Sequence, residues 1–253
     1  MVYTVRFYLK SGKTKMKGSV KTHDYTKHAT EYSELGIDGT FYLGFRDVPK
    51  LIKKYVKGTQ ALDYGCGPGR STRFLKSLGF DVIGVDISSD MLTEARKKDE
   101  QGTYQQIERG VLPLEDSSFD LIFSSFVFLE IAAMIEIEKI LSEFKRVLKP
   151  SGHIIILTSS MEGYKGDWVS VSYDFPENKR QFESGETVKL LIRGTNVILH
   201  DYYWTDQDYR DAFTKIHLRL IELHNPIGYD EDKIQWREES QKSPYSIYVL
   251  AKT

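Results

Sequence analysis

Residues 61–72 read ALDYGCGPGRST, and the fold can be inferred outward from this stretch. Its apolar start predicts the end of a buried strand, and the pattern from Ser71 onward predicts a helix. Between them Gly65, Gly67 and Gly69 stand at alternate positions, where the missing Cβ atoms let the main chain approach a ligand closely. The helix directs its N–H groups and the positive end of its dipole at the same point. The stretch therefore predicts a site for a ligand with a carboxylate or phosphate group.

Two classes of ligand bind at glycine turns of this kind, and the spacing of the glycines separates them. The dinucleotide fingerprint is G-x-G-x-x-G, in which the third glycine packs the helix against the strand. Here Arg70 occupies the position of that third glycine, and an acid, Asp63, precedes the turn. The pattern resembles motif I of the class I S-adenosylmethionine-dependent methyltransferases, acid-x-G-x-G-x-G.

Three further blocks carry the same resemblance at fixed distances along the chain. Residues 82–86 (VIGVD) are an apolar run ending in Asp86, whose carboxylate at the tip of the next parallel strand can accept both hydroxyls of a ribose. Residues 112–122 (LPLEDSSFDLI) resemble the family's run into the fourth strand. Residues 146–152 (RVLKPSG) resemble the turn before the fifth strand. The resemblance covers about residues 25–160.

Composition sets broad limits on partners and location. The chain has 253 residues, 40% of them hydrophobic, which suffices for the core of one large domain. Its formal net charge of −1 provides no overall attraction to nucleic acid or to an anionic membrane. The single cysteine, Cys66, cannot form an internal disulfide, and neither a membrane-spanning stretch nor a signal-peptide core is evident. We therefore expect a cytoplasmic protein with no membrane or nucleic-acid partner, and the oligomeric state stays open.

From residue 59 onward, strand and helix patterns alternate. Such alternation predicts right-handed parallel crossovers and a doubly wound sheet, with ligands at the carboxyl ends of the strands. The resemblance implies a Rossmann-like, seven-stranded class I methyltransferase sheet, mostly parallel with the last strand antiparallel, with helices on both faces. The predicted strands are 59–64, 81–86, 103–107, 119–125, 153–158, 217–223 and 245–252. The predicted helices are 23–32, 46–55, 70–78, one from Ser88 or Ser89, 132–148, and one from Thr205 to about Lys215.

Two segments depart from this alternation. Residues 1–21 form an N-terminal extension with five lysines; it is either a basic arm or a leader, with Met16 as an alternative start. Residues 22–253 form the methyltransferase domain. Within this domain, residues 159–204 concentrate aromatic side chains around a predicted hairpin. We interpret them as an antiparallel lid that recognises the substrate, the alternative being a surface hairpin whose aromatic side chains pack on the core.

The resemblance implies roles for residues along the ligand-facing edge. The loop from Asp63 to Gly69 would cradle the methionine part of the cofactor, and Asp86 would bind its ribose. Glu108 stands where similar enzymes carry an aspartate that binds the adenine amino group. Tyr32 lies on a helix face that could equally belong to the core, and Arg46 could pair with the methionine carboxylate or lie on the surface. The expected cofactor contacts are Tyr25, Tyr32, Arg46, Asp63, Gly65, Cys66, Gly67, Gly69, Asp86, Ile87, Met91, Glu108, Arg109, Ser124, Ser125 and Phe126.

Methyl transfer from a sulfonium depends chiefly on positioning, and a base helps with some acceptors. His200, within the lid, is the first candidate base and Glu130 the second; Asp201 is a further titratable residue near the same mouth. No grouping of histidines and carboxylates has the spacing of a metal site, so we expect no metal. Residues 124–127 (SSFV) differ from the motif of nucleic-acid and glutamine amino methyltransferases. The expected substrate contacts are His28, Trp168, Tyr173, Tyr202 and Tyr203.

The expected function is methyl transfer from S-adenosylmethionine to an O, N or C nucleophile of a small molecule by in-line displacement, with S-adenosylhomocysteine as the other product. The likeness is to the ubiquinone/menaquinone biosynthesis methyltransferases. The alternatives are a non-catalytic module that binds this cofactor or a partner, a nicotinamide-dependent oxidoreductase, and an RNA methyltransferase that uses the lysine-rich extension. The sequence leaves the acceptor and the attacked atom open.

Overall fold

A seven-stranded β-sheet forms the centre of the computed structural model, which describes residues 25–253, with side chains from residue 29 onward. The predicted extension at 1–21 lies outside the described residues. The described strands are β1 (Gln60–Tyr64), β2 (Asp81–Asp86), β3 (Thr103–Gln106), β4 (Phe119–Ser125), β5 (Leu148–Ser159), β6 (Val171–Ser172), β7 (Thr187–Ile192), β8 (Ile198–Tyr202), β9 (Leu218–His224) and β10 (Tyr245–Lys252). The large sheet has the order β3-β2-β1-β4-β5-β10-β9. Strands β6, β7 and β8 form a second, antiparallel sheet.

Seven α-helices lie in the described residues, three of them before β1 and the others between strands. They are α1 (Tyr25–Ser33), α2 (Gly39–Arg46), α3 (Val48–Tyr55), α4 (Arg70–Ser77), α5 (Ser89–Lys98), α6 (Met134–Val147) and α7 (Asp206–Lys215). The predicted caps are observed: the Ser88 hydroxyl accepts a hydrogen bond from the N–H of Met91, and Thr205 and Asp208 form a capping box at the start of α7. None of the helices in residues 25–253 is both long and apolar enough to cross a membrane.

Strand pairing confirms the predicted fold class. Strand β1 pairs in parallel with β2 and with β4, whereas β10 is antiparallel to both of its neighbours, β5 and β9. The last strand is thus inserted between β5 and β9. One boundary differs from the prediction, because β5 begins at Leu148 rather than at 153. Helix α6 ends at Val147, and Leu148 at once pairs with Phe119 of β4, so no loop separates the helix from the strand.

Both faces of the large sheet are buried, as a doubly wound arrangement requires. In β4 the fully buried side chains of Leu121, Ile122 and Phe123 point alternately to the two faces. Ile122 packs into a cluster with α6 and α7, and the other two pack into a cluster with α2 and α3. Because β1 and β4 are held between these two layers, their carboxyl ends are fixed in position.

The predicted antiparallel insertion after strand five is present as the sheet β6-β7-β8. Its Trp168 is fully buried and donates from Nε1 to the carbonyl of Gly163 at 2.6 Å. Tyr203 packs against Tyr164 and Phe182. These aromatic side chains therefore pack within the insertion itself, and its role as a lid that recognises the substrate stays a prediction.

One buried carboxylate connects this insertion to the rest of the chain. Glu239 is fully buried; its Oε1 accepts from the Thr40 hydroxyl and the Val169 N–H, each at 2.7 Å, and its Oε2 accepts from the Arg237 N–H at 3.0 Å. The Thr40 hydroxyl oxygen in turn accepts from the Ser170 N–H at 2.8 Å. The start of α2, the insertion and the segment before β10 thus share a single acceptor.

We expect Glu239→Ala to lower the free energy of unfolding by about 2–4 kcal/mol, because it leaves buried donors unpaired and removes hydrogen bonds to a charged group. Chemical denaturation monitored by tryptophan fluorescence measures this change. Glu231→Ala, at an exposed carboxylate, is the control and should stay within about 0.5 kcal/mol of the parent. Equal effects of the two substitutions would contradict this role of Glu239.

Candidate active site

The glycine turn after β1 forms the floor of a cavity. Gly65 and Gly67 have φ values of +71° and +50°, which L side chains rarely adopt. A Cβ on Gly65 would approach Val127 to 2.2 Å, so the packing beneath the turn requires glycine there. A Cβ on Gly67 would have no atom within 4 Å, so this glycine borders open space. The turn therefore offers main-chain atoms to a ligand.

Asp63 supports this turn from below. Its Oδ2 accepts hydrogen bonds from the hydroxyls of Ser71 and Thr72, at 2.7 and 2.6 Å, which joins the end of β1 to the first turn of α4. Oδ1 has no hydrogen-bond partner among the described residues. Burial raises the pKa of Asp63 to about 6, although the two hydroxyls act in the opposite direction.

Asp86 lines the cavity at the tip of β2. Its Oδ2 accepts from the Gly67 N–H at 2.8 Å, and its Oδ1 accepts from the Ser88 N–H at 2.8 Å. Burial raises the pKa of Asp86, and these backbone donors oppose the rise. Each carboxylate oxygen has a second lone pair, so the side chain can still accept two ligand hydroxyls.

The cavity encloses about 890 Å³, part of it open to solvent, at the carboxyl ends of β1, β2 and β4. This is the edge that the sequence predicted. Ile87 is an exposed apolar side chain at the rim of this cavity, suited to the face of a purine. The predicted cofactor contacts and base that line the cavity are Tyr32, Gly65, Cys66, Gly67, Asp86, Ile87, Met91, Arg109, Ser125, Phe126 and Glu130.

Arg70 is a lining residue that the sequence reasoning missed. Its guanidinium lies over the rings of Phe41 and Phe45, at 5.0 and 5.6 Å, and donates to the carbonyl of Gly36 at 3.1 Å. Burial lowers the pKa of Arg70. Among the described residues no carboxylate forms an ion pair with it. The turn thus carries a cation without an acidic partner, which fits a carboxylate of a ligand.

Several predicted contacts lie outside this lining. Arg46 bonds to Asp47, to Asp232 at 2.9 Å and to the carbonyl of Ile227, and its guanidinium lies over the Tyr229 ring. Glu108 is exposed, whereas Ser124 is fully buried behind the cavity and its hydroxyl has no partner among the described residues. The cofactor contacts expected of Arg46, Glu108 and Ser124 stay predictions, because none of the three side chains lines the cavity. The other predicted residues outside the lining are Asp63, Gly69, Trp168, Tyr173, Tyr202, Tyr203 and His200; the side chains of Tyr25 and His28 lie outside the described part.

A second cavity, of about 440 Å³, adjoins the first and shares Tyr32, Phe126 and Glu130 with it. Asp201 and the predicted substrate contact Tyr173 line this second cavity and not the first. Asp201 and Leu199 of β8 face it together, so His200 between them points to the opposite face of the strand. The side-chain alternation of a strand therefore favours Asp201 over His200 as a group near the substrate.

Phe126 stands between the two cavities in a left-handed conformation, with a φ of +60°. This conformation is an outlier for a bulky residue and costs about 1–2 kcal/mol. Its ring makes edge contacts with Phe41 and Tyr245, at centroid distances of 6.0 and 5.0 Å. The packing around the ring holds the backbone in this conformation, so the ring is fixed in position where the two cavities meet.

Comparisons with known proteins agree with this geometry. Residues 62–156 match the family model described as "Methyltransferase domain". The chain is 28% identical over 138 residues to a malonyl-[acyl-carrier protein] O-methyltransferase of Enterobacter lignolyticus, covering 53% of each protein. It is 26% identical over 207 residues to the N-demethylindolmycin N-methyltransferase of Streptomyces griseus, covering 79% of this chain and 85% of that one. The chain spans about half the length of the first curated relatives that it matches.

A structural neighbour shows the same fold. An S-adenosylmethionine-dependent methyltransferase of Clostridium acetobutylicum superposes with a TM-score of 0.61 at 18% identity, over 90% of this chain and 98% of that one. The comparisons agree with the resemblance inferred from the four sequence blocks: residues 62–156 match a methyltransferase domain, and the fold around them is that of the class I, S-adenosylmethionine-dependent type. The cofactor of this class is S-adenosylmethionine.

The residues present fit this cofactor. The open side of Gly67 leaves room against the main chain, Asp86 keeps acceptor capacity for two hydroxyls, and Arg70 supplies a cation for a carboxylate. Among residues 29–253 no group of three or more His, Cys, Asp or Glu side chains could hold a metal ion.

The raised pKa of Asp63 predicts a pH dependence of stability. Because the pKa of about 6 in the folded state exceeds the ordinary value of 3.8, folding favours the protonated acid, and stability falls as the pH rises from about 4 to about 6. Relative to Asp63→Asn, which does not titrate, the parent should lose up to about 3 kcal/mol across this range. Urea denaturation of both proteins from pH 4 to 8 measures the difference. A difference that is constant with pH would contradict the shift.

Proposed function

We propose that this chain transfers a methyl group from S-adenosylmethionine to a small-molecule acceptor. The observation that carries the proposal is the pair of adjoining cavities. The first has the acid, cation and glycine floor that suit the cofactor, and the second adjoins it and shares three of its lining residues. A cofactor in the first cavity and an acceptor in the second would meet at Tyr32, Phe126 and Glu130. A methyl group could therefore pass directly from one ligand to the other.

In this proposal each residue of the first cavity has a defined task. Asp86 accepts the ribose hydroxyls, Arg70 binds the methionine carboxylate, and the turn from Gly65 to Gly69 holds the methionine chain. Ile87 and Met91 pack on the adenine. Glu108 stays a candidate for the adenine amino group because its neighbours Ile107 and Arg109 line the cavity.

The second part of the proposal concerns how the chain promotes the reaction. The cofactor supplies an electrophilic methyl group, so the protein has to align the acceptor and exclude water, which together can contribute about 7–11 kcal/mol. The insertion, which we propose is a lid, walls the second cavity with Leu190, Ile192 and Leu199. Glu130 lines both cavities and is our candidate base, whereas His200 faces away and stays a sequence prediction.

The rival functions have less support. A nicotinamide-dependent oxidoreductase is disfavoured, because Arg70 replaces the third glycine of the dinucleotide turn and the matched domain is a methyltransferase domain. A pure binding module would not require the second cavity. We also propose a cytoplasmic location, since the one cysteine of the sequence, Cys66, is a free, buried thiol.

A binding experiment tests the assigned residues. By isothermal titration calorimetry, Asp86→Ala should weaken both S-adenosylhomocysteine and 5′-methylthioadenosine at least about tenfold, because both ligands carry the ribose. Arg70→Met should weaken S-adenosylhomocysteine by about 10–100-fold and leave 5′-methylthioadenosine unchanged, because only the former has a carboxylate.

Asp81→Ala, at the exposed opposite end of β2, is the control and should change both affinities by less than about twofold. Loss of both ligands in Arg70→Met would contradict the assigned carboxylate contact. Unchanged affinities in Asp86→Ala would contradict the ribose contact.

Turnover is the direct test of the activity. The protein is incubated with S-adenosylmethionine and a pool of small O, N and C nucleophiles, and S-adenosylhomocysteine and methylated products are detected by mass spectrometry. We expect both products to form together, in equal amounts, and to be lost in Asp86→Ala. Tight cofactor binding without product from any acceptor class would favour the binding module.

A further inference from the structure

The second cavity has an apolar body and an acidic end. Its volume of about 440 Å³ includes space that is open to solvent. Carboxyl and hydroxyl groups reach the same space from the strand ends and from the short helical turn Phe128–Glu130. The apolar walls are Phe41, Leu129, Val171, Leu190, Ile192 and Leu199, and the polar lining residues are Tyr32, Glu130, Ser159, Tyr173, Asp201 and Tyr245.

Three of these polar groups have no hydrogen-bond partner among the described residues. Asp201 is only 4% exposed, and no described side chain or N–H binds its carboxyl group. Tyr245 is also 4% exposed, and its hydroxyl is unpaired. Glu130, at the junction of the two cavities, is unpaired as well. Buried polar groups are nearly always satisfied, so the unpaired groups of Asp201 and Tyr245 indicate a missing ligand, and Glu130 reaches the same space from a partly exposed position.

The charges around the cluster indicate which ligand is missing. Burial raises the pKa of Asp201 well above its ordinary value, and burial together with Asp201 does the same for Glu130. No positively charged side chain of the described residues counteracts either shift. Two acids in one enclosed space without a base are costly when ionised, and a cation would supply the missing partner.

We propose that the second cavity binds amines, with the basic nitrogen at the carboxyl groups of Glu130 and Asp201 and an apolar or aromatic body against the lid. The acceptor class would then be small amines and the product an N-methylated amine. This inference rests on the proposed function for its catalytic meaning, but the amine site itself can be tested without the cofactor.

The carboxyl groups of Glu130 and Asp201 can also accept the proton that an amine must lose before it reacts. An ammonium ion has no lone pair, so it must first give one proton to a carboxylate of the pair. The neutral nitrogen then forms the N–CH₃ bond while the electron pair of the S–CH₃ bond stays on sulfur, and the product leaves as a methylated ammonium. The carboxylic acid returns its proton to water, so one proton is released per turnover.

Matched amine and alcohol probes test the site. Phenethylamine and tryptamine are compared with 2-phenylethanol and tryptophol, which have the same body but no basic nitrogen. Their affinities are measured by isothermal titration calorimetry, with and without saturating S-adenosylhomocysteine. We expect each amine to bind at least about tenfold more tightly than its alcohol.

Variants locate the effect in the acidic pair. Asp201→Asn should weaken amine binding at least about tenfold and leave alcohol binding within about twofold. Glu130→Gln, at a partly exposed position that can be changed without unfolding, should also weaken amine binding selectively. The control is Asp174→Asn, an exposed carboxylate of the same insertion, which should leave both probe classes unchanged.

The outcomes separate this inference from the proposed function. Equal binding of amines and alcohols, or amine binding that is unaffected in both variants, overturns the amine site even if S-adenosylhomocysteine binds normally. Selective amine binding that depends on Asp201 and Glu130 supports it even if S-adenosylhomocysteine fails to bind. In that last case the methyltransferase proposal fails, and an amine-binding site remains.

Discussion

The hydrogen bond from the Gly67 N–H to Asp86 is the interaction on which the first cavity depends. It fixes the turn after β1 to the tip of β2, together with bonds from the N–H groups of Gly65 and Cys66 to the carbonyl of Val85 at 2.8 and 3.0 Å. These bonds require left-handed main chain at the turn, which is why glycine recurs there. With the turn fixed, α4 begins directly behind it. The first cavity is therefore a consequence of how two parallel strands are joined.

The two cavities differ in charge, and Phe126 lines both of them. The first contains a carboxylate that is held by backbone donors and a guanidinium, Arg70, that forms no ion pair with a carboxylate in the described part of the chain. The second contains the acids Glu130 and Asp201 and no described base. A ligand with both a carboxylate and a ribose suits the first arrangement, and a cation suits the second. The strained backbone of Phe126 keeps its ring between these environments, which allows two ligands of different charge to bind side by side.

The sequence predicted the large sheet, its antiparallel last strand and the position of Asp86, because hydrophobic alternation and the glycine turn are local signals. It did not predict the role of residues whose partners lie far along the chain. Arg46 bonds to Asp232, 186 residues away, in a segment without a periodic pattern. The sequence shows Arg70 only as the residue that replaces a glycine. No local sequence pattern indicates that its side chain lies over two aromatic rings. Which of His200 and Asp201 lies near the substrate depends on the face of β8 that meets the second cavity. That face is set by the register of β8 against β7.

The acidic pair also explains how an enclosed site can contain two carboxyl groups without destabilising the fold. When the cavity holds no cation, burial keeps the acids protonated, so neither carries an unpaired charge. When an ammonium ion enters, a proton leaves and an ion pair forms in its place, which avoids the cost of burying a lone charge of either sign. The same exchange provides a proton acceptor beside the apolar wall of the cavity. An apolar wall and a base, which would be incompatible if the base were permanently charged, can therefore occupy one cavity.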